Sequence, residues 1–271
     1  MFRGIFIVLS LCLLSAAGTV LAAPGGGRHV QASLVAETDA VTPGQPLLVG
    51  LRLQMEPGWH TYWRNPGDSG LPTKVKWDLP EGFSAGSIQW PRPIRFKFGP
   101  LVSYGYEGEA LLPVEVQVPS GLSSLEVRLV ARVSWLECLD VCLPGKAELT
   151  LSLPVEASAS PGPAAPLFEE ARRRLPTTDP DWTFSASAGS GGIELTVAPP
   201  AGTSLEEAYF YPVTRRVLDY SKPQSLRLSG SSYRIDLPFG ARDEAPRRLE
   251  GVLVGKTPSG PVALVVDVKP R

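Results

Sequence analysis

The chain of 271 residues is poor in the features that most function classes need. It has 3 cysteines and 2 histidines, and no second cysteine pair to complete a conventional zinc site with four ligands. Its 26 basic residues nearly balance its 27 acidic ones, so no basic field favours nucleic acid or an anionic membrane surface. Nucleic-acid binding is not expected. No nucleophile elbow, phosphate loop or paired-carboxylate signature stands out, which leaves hydrolase chemistry without support. Long helix-favouring runs, heptads and tandem repeats are also missing. After the first 22 residues there is no further hydrophobic run long enough to span a bilayer.

Those first residues read as an export signal. Arg3 precedes an apolar run from Ile5 to Leu14, and the small-residue exit Val20-Leu21-Ala22 predicts cleavage after Ala22. Cys12 leaves with the signal, because it follows Leu11 where lipoprotein processing requires a small residue. The mature chain is therefore expected to be exported, soluble and periplasmic, with no transmembrane span of its own.

What is abundant is turn chemistry. With 27 glycines and 28 prolines interrupting short alternating segments, the pattern is all-β. Strands are expected at Leu47 to Gln54, Leu111 to Val118, Leu125 to Val133 and Ala147 to Leu153, giving a first domain over residues 28–155. Residues 156–166, rich in Ala, Ser, Pro and Gly, read as a linker. The second domain, 167–271, is expected to open with a short helix from Leu167 to Leu175. Strands should follow, with hairpin turns at Gly189 to Gly192 and Pro258 to Gly260.

The remaining cysteines, Cys138 and Cys142, lie in Trp135-Leu136-Glu137-Cys138-Leu139-Asp140-Val141-Cys142-Leu143-Pro144-Gly145. An extended strand would hold their Cα atoms about 13 Å apart, beyond the ~4.4 to 6.8 Å of a disulfide. The segment must therefore turn, by a helical turn or tight loop ended by Pro144 and Gly145. Bridging so short a loop restricts the unfolded chain by roughly 2 kcal/mol, a small return for a purely structural bond. A structural bridge, a redox pair and a copper(I) site using His29, His60 or Met55 all stay open on the residues alone. Glu137 and Asp140 flank the pair, so neither thiol is expected to have a strongly lowered pKa. Trp59, Tyr62, Trp63, Trp77 and Trp90 are core filler or a wall around the thiols, His60 an ordinary hydrogen-bonded histidine, and Asn65 with Asp68 turn chemistry.

Four motifs go further: Gly58-Trp59-His60-Thr61-Tyr62-Trp63-Arg64-Asn65-Pro66-Gly67-Asp68-Ser69-Gly70, Tyr104-Gly105-Tyr106-Glu107-Gly108, Leu112-Pro113-Val114, and the cysteine segment. Through them the first domain resembles the amino-terminal domain of the DsbD family of transmembrane disulfide reductases, especially its copper-tolerance-associated ScsB branch. Ala208-Tyr209-Phe210-Tyr211-Pro212 and Asp219-Tyr220 extend a weaker similarity into the second domain.

The resemblance implies two immunoglobulin-like β-sandwich domains in tandem and no cofactor. It implies a thiol:disulfide oxidoreductase relaying electrons from a membrane-embedded donor of the DsbD/ScsB/CcdA type to thioredoxin-fold exported proteins. Cys142 would be the attacking thiol, Cys138 its resolving partner, Phe98 or Phe96 the cap over the sulfurs, and Tyr62 a tyrosine beside them. His60 stands where other members keep a second tyrosine, and the cysteines here are separated by three residues rather than five. The family's membrane and carboxy-terminal thioredoxin domains have no counterpart in the sequence, so a detached module is expected. The competing reading is a non-catalytic binding or copper-handling scaffold with a structural disulfide.

Overall fold

A computed structural model describes residues 25–240 and 245–271; the export signal expected at 1–22 lies outside them. The fold is two immunoglobulin-like β-sandwiches in tandem. In the first, strands β1 (Gly25–Gly26), β2 (Val30–Ala36), β3 (Leu47–Met55), β4 (His60–Gly67), β5 (Lys74–Asp78), β6 (Ser84–Ala85), β7 (Ile94–Phe98), β8 (Leu101–Glu107), β9 (Glu109–Gln117), β10 (Glu126–Cys138) and β11 (Cys142–Pro154) form two sheets. One has the order β1-β2-β3-β9-β6, the other β11-β10-β4-β8-β7, with β5 also pairing β10. Alternation decides which faces meet: Val127, Leu129, Ala131, Val133 and Trp135 of β10 are buried, as are Val30, Ala32 and Leu34 of β2.

Helix α1 (Ala165–Arg174) follows, then β12 (Thr183–Ala188), β13 (Gly192–Ala198), β14 (Glu207–Pro212), β15 (Leu226–Ser229), β16 (Ser232–Pro238), β17 (Leu249–Thr257) and β18 (Gly260–Val268). Their sheets run β12-β13-β16-β15 and β14-β17-β18. The helix, expected to open the second sandwich, packs instead on the first: Phe168 and Ala171 bury against Leu111 of β9. Gly50 of β3 leaves room for Phe168, whose ring a Cβ there would crowd. The preceding stretch is tied down as well, by Ser160 N–H donating to Asp39 Oδ1 at 2.8 Å and Gly162 N–H to Glu37 O at 2.7 Å. A segment without large side chains can still be fixed through its backbone.

Buried side chains of both sandwiches form one continuous cluster. Asn65 crosses between them: its Nδ2 donates to Pro212 O at 2.7 Å and to Tyr220 Oη at 3.2 Å, while its Oδ1 accepts from Gly67 N–H at 3.1 Å. The expected turn chemistry accounts for the last bond only. Tyr104 and Tyr209 share a 2.9 Å hydroxyl contact across the same boundary. Among the described residues no helix is long and apolar enough to cross a membrane.

Candidate functional site

The cysteines sit at the tip of a hairpin that is longer than the sequence suggests. Strands β10 and β11 pair without a break from Glu126↔Pro154 to Cys138↔Cys142, so only Leu139, Asp140 and Val141 make the turn. No helical turn is needed. Pro144 and Gly145, expected to end the loop, lie inside β11. That strand is a sheet edge, where a missing N–H is tolerated. Gly145 packs under the Trp135 ring, in space that a Cβ would occupy. Register thus brings the two Cα atoms to 4.2 Å, and the sulfurs are bonded.

On its other side Cys138 pairs with His60 of β4, which in turn pairs with Glu107 of β8. One row across the sheet therefore reads Cys142, Cys138, His60, Glu107. Tyr62, two residues beyond His60, shares its face, and its hydroxyl lies 3.0 Å from Cys138 Sγ and 3.4 Å from Cys142 Sγ. Gly70, at φ +93°, lies where a side chain would run into the Tyr62 ring. Burial raises the Tyr62 pKa, against a smaller lowering from the Ser69 hydroxyl, so the phenol keeps its proton and donates.

The cap strand β7 completes the site. Phe96 and Phe98 stack on the His60 ring with centroids at 4.5 and 5.3 Å. Phe96 is buried, whereas Phe98 is 40% exposed. His60 itself is buried, with Nε2 lacking a hydrogen-bond partner among the described residues. It is not the ordinary hydrogen-bonded histidine expected: aromatic rings surround it, and burial lowers its pKa from 6.5 to about 4.

This has a measurable consequence. A folded-state pKa below the unfolded value means the unfolded chain takes up the proton first as pH falls. Stability is then unaffected by His60 above pH 6.5 and declines below it towards about pH 4, by up to about 1.4 kcal/mol per unit. Urea unfolding should therefore show a less stable protein at pH 5 than at pH 7, and His60→Phe should remove most of that difference. An equal difference in the variant would place its origin elsewhere.

The two sulfurs differ in access. Cys138 is 2% exposed, while Cys142 lies on the surface. Beside them the turn presents apolar side chains, Leu139 at 38% and Val141 at 62% exposed. Sequence reasoning passed over these two; the signal was apolar residues placed in a turn between cysteines. Glu137, read as an acidic neighbour of the thiols, points to the opposite face with Trp135. There it accepts from Arg28 N–H at 2.7 Å, His29 N–H at 3.3 Å and Trp135 Nε1–H at 3.3 Å.

The residues weighed for copper(I) do not gather. His29 stacks on Trp59 at 3.7 Å and bonds Glu56 at 2.7 Å, and Met55 Sδ accepts the Thr61 hydroxyl at 3.5 Å. Among the described residues no three His, Cys, Asp or Glu side chains converge as a metal site.

Residues 31–154 match the family described as thiol:disulfide interchange protein DsbD, N-terminal. The fold is similar to the crystal structure of the N-terminal periplasmic domain of ScsB from Proteus mirabilis. That similarity has a TM-score of 0.67 at 18% identity, over 93% of this chain and 98% of the other. No curated protein matches significantly.

Proposed function

We propose, on the premise that residues 31–154 form a DsbD-type amino-terminal domain, that this chain is a periplasmic thiol–disulfide relay acting through Cys138 and Cys142. The observation that carries the reading is the asymmetry of the pair: a surface Cys142 bonded to a buried Cys138 whose sulfur faces a protonated tyrosine. The domain divisions at 28–155, 156–166 and 167–271 belong to the same proposal, except that α1, which packs on the first sandwich, moves the start of the second domain beyond Arg174.

The chemistry runs in two exchanges. A thiolate of the membrane-embedded donor attacks Cys142 Sγ, which belongs to the exposed cysteine of the pair. The Cys138–Cys142 bond breaks as the mixed disulfide forms, and Cys138 leaves as a thiolate accepting the Tyr62 O–H. A hydrogen bond to a charged group contributes about 1.5–3 kcal/mol, available only once that charge develops. The donor's second thiol displaces Cys142, completing a two-electron reduction with protons drawn from solvent. In the onward exchange Cys142 thiolate attacks the disulfide of a thioredoxin-fold protein. Cys138 then attacks Cys142 Sγ, restoring the internal bond and releasing the reduced substrate.

Leu139, Val141 and Phe98 supply an apolar surface for such partners to cover. His60, with Phe96 and Phe98 on its ring, keeps water from one side of Cys138. Mixing the oxidised protein with a reduced thioredoxin-fold protein should transfer two electrons, read by thiol trapping and mass shift. A non-catalytic scaffold would leave Cys138 and Cys142 bonded throughout.

A further inference from the structure

Strand β7 has a second face. Phe96 and Phe98 turn towards His60, so alternation sends Arg95 and Lys97 the other way, into a cleft between the two sandwiches. The cleft has a volume of about 890 Å³. Arg92, Arg95 and Lys97 line it from the first sandwich, Lys222 and Lys256 from the second, against one lining carboxylate, Glu207.

Two of these cations are answered locally. Lys222 lies 3.7 Å from Asp219 and Lys256 3.4 Å from Glu206. Arg92, Arg95 and Lys97 form no ion pair with a carboxylate among the described residues. Arg95 rests instead over the Tyr209 ring at 4.5 Å. In a chain of formal charge -1, five cations around one cavity are a local concentration rather than a general surplus.

We infer that this cleft binds an acidic peptide segment, and that it docks a protein partner of the adjacent disulfide; the second part rests on the relay proposed above. Several converging cations suit repeated carboxylates, and the volume accommodates a few residues of extended chain. The balanced overall charge offers no long-range field for a polynucleotide. Because β7 forms both the cap and a wall of the cleft, a segment held here lies behind the strand whose Phe96 and Phe98 cover His60, the cross-strand neighbour of Cys138.

The test uses the full oxidised chain and a fluorescein-labelled hexaglutamate peptide, read by anisotropy at low and at moderate salt. Binding should weaken as salt rises, and hexaglutamine should not bind. Arg92→Gln with Arg95→Gln and Lys97→Gln should weaken binding about tenfold, and Lys222→Gln with Lys256→Gln, on the opposite wall, should weaken it as well. Lys74→Gln with Lys76→Gln and Lys146→Gln removes the same charge elsewhere and should leave binding unchanged. No binding to the parent chain, an equal loss in the charge-matched variant, or tighter binding of hexathymidylate would each overturn the assignment. Reduction by dithiothreitol, read on the same samples, separates the two readings. Peptide binding by a chain with an inert disulfide rejects the relay and keeps the cleft, and the reverse rejects the cleft alone.

Discussion

With Cys138 changed to serine, the remaining Cys142 is expected to accumulate a stable mixed disulfide with thioredoxin-fold proteins, while Cys142→Ser reduces exchange to the uncatalysed background. The two variants differ because the sulfurs do. Cys142 is at the surface of the hairpin tip, and Cys138 is buried beneath it against Tyr62. In Cys138→Ser the first attack proceeds and nothing inside the protein can resolve it. In Cys142→Ser the surviving thiol is shut in and reacts slowly with any protein. Non-reducing electrophoresis after acid quenching reads both outcomes. Capture by the Cys142→Ser chain, and not by Cys138→Ser, would reverse the assigned roles.

The largest expected change in stability comes from Glu137→Ala. Its carboxylate ties the start of the first sandwich to β10 through the N–H groups of Arg28 and His29, and it also receives the Trp135 indole. Removing it leaves these donors without their acceptor, the Trp135 indole in a buried position and the two backbone N–H groups in part-buried ones. A hydrogen bond to a charged group is worth about 1.5–3 kcal/mol, and unsatisfied buried donors add to the cost, so a loss of about 3 kcal/mol is expected in urea unfolding. The pH dependence of Cys142 alkylation in the reduced protein should stay the same, because Glu137 faces away from the sulfurs. A marked shift in that profile would show that the carboxylate does act on the thiols.

Which parts of this were legible in the sequence follows from what each signal reports. Alternation located β3 and β9, since a period of two directly reflects one buried face. The same rule failed at the cysteine hairpin, where Pro144 and Gly145 look like terminators. Edge position and the Trp135 ring, both set by tertiary neighbours, make them strand residues. Helix α1 was visible in the spacing of Leu167, Phe168, Ala171 and Leu175, but not the sheet it covers, because an apolar stripe does not name its partner.

The candidate site was read from motif resemblance more than from physics. Cys138, Cys142, Tyr62, His60, Phe96 and Phe98 come together around one end of one sheet. Nothing in the spacing of residues 60, 96 and 138 encodes that meeting. It arises because β4 lies between β10 and β8, and β7 borders β8. Glu137 was misjudged for a related reason: adjacency along a strand places a side chain on the opposite face from its neighbour.

The most direct test of the account is the reduction potential of the Cys138–Cys142 disulfide, measured by equilibrating the full chain with dithiothreitol or glutathione buffers and quantifying free thiols. A pair that exchanges with thioredoxin-fold partners should have a potential above about -300 mV, within reach of such donors. A potential well below that value would mark a bond that physiological thiols do not open, and would contradict the relay.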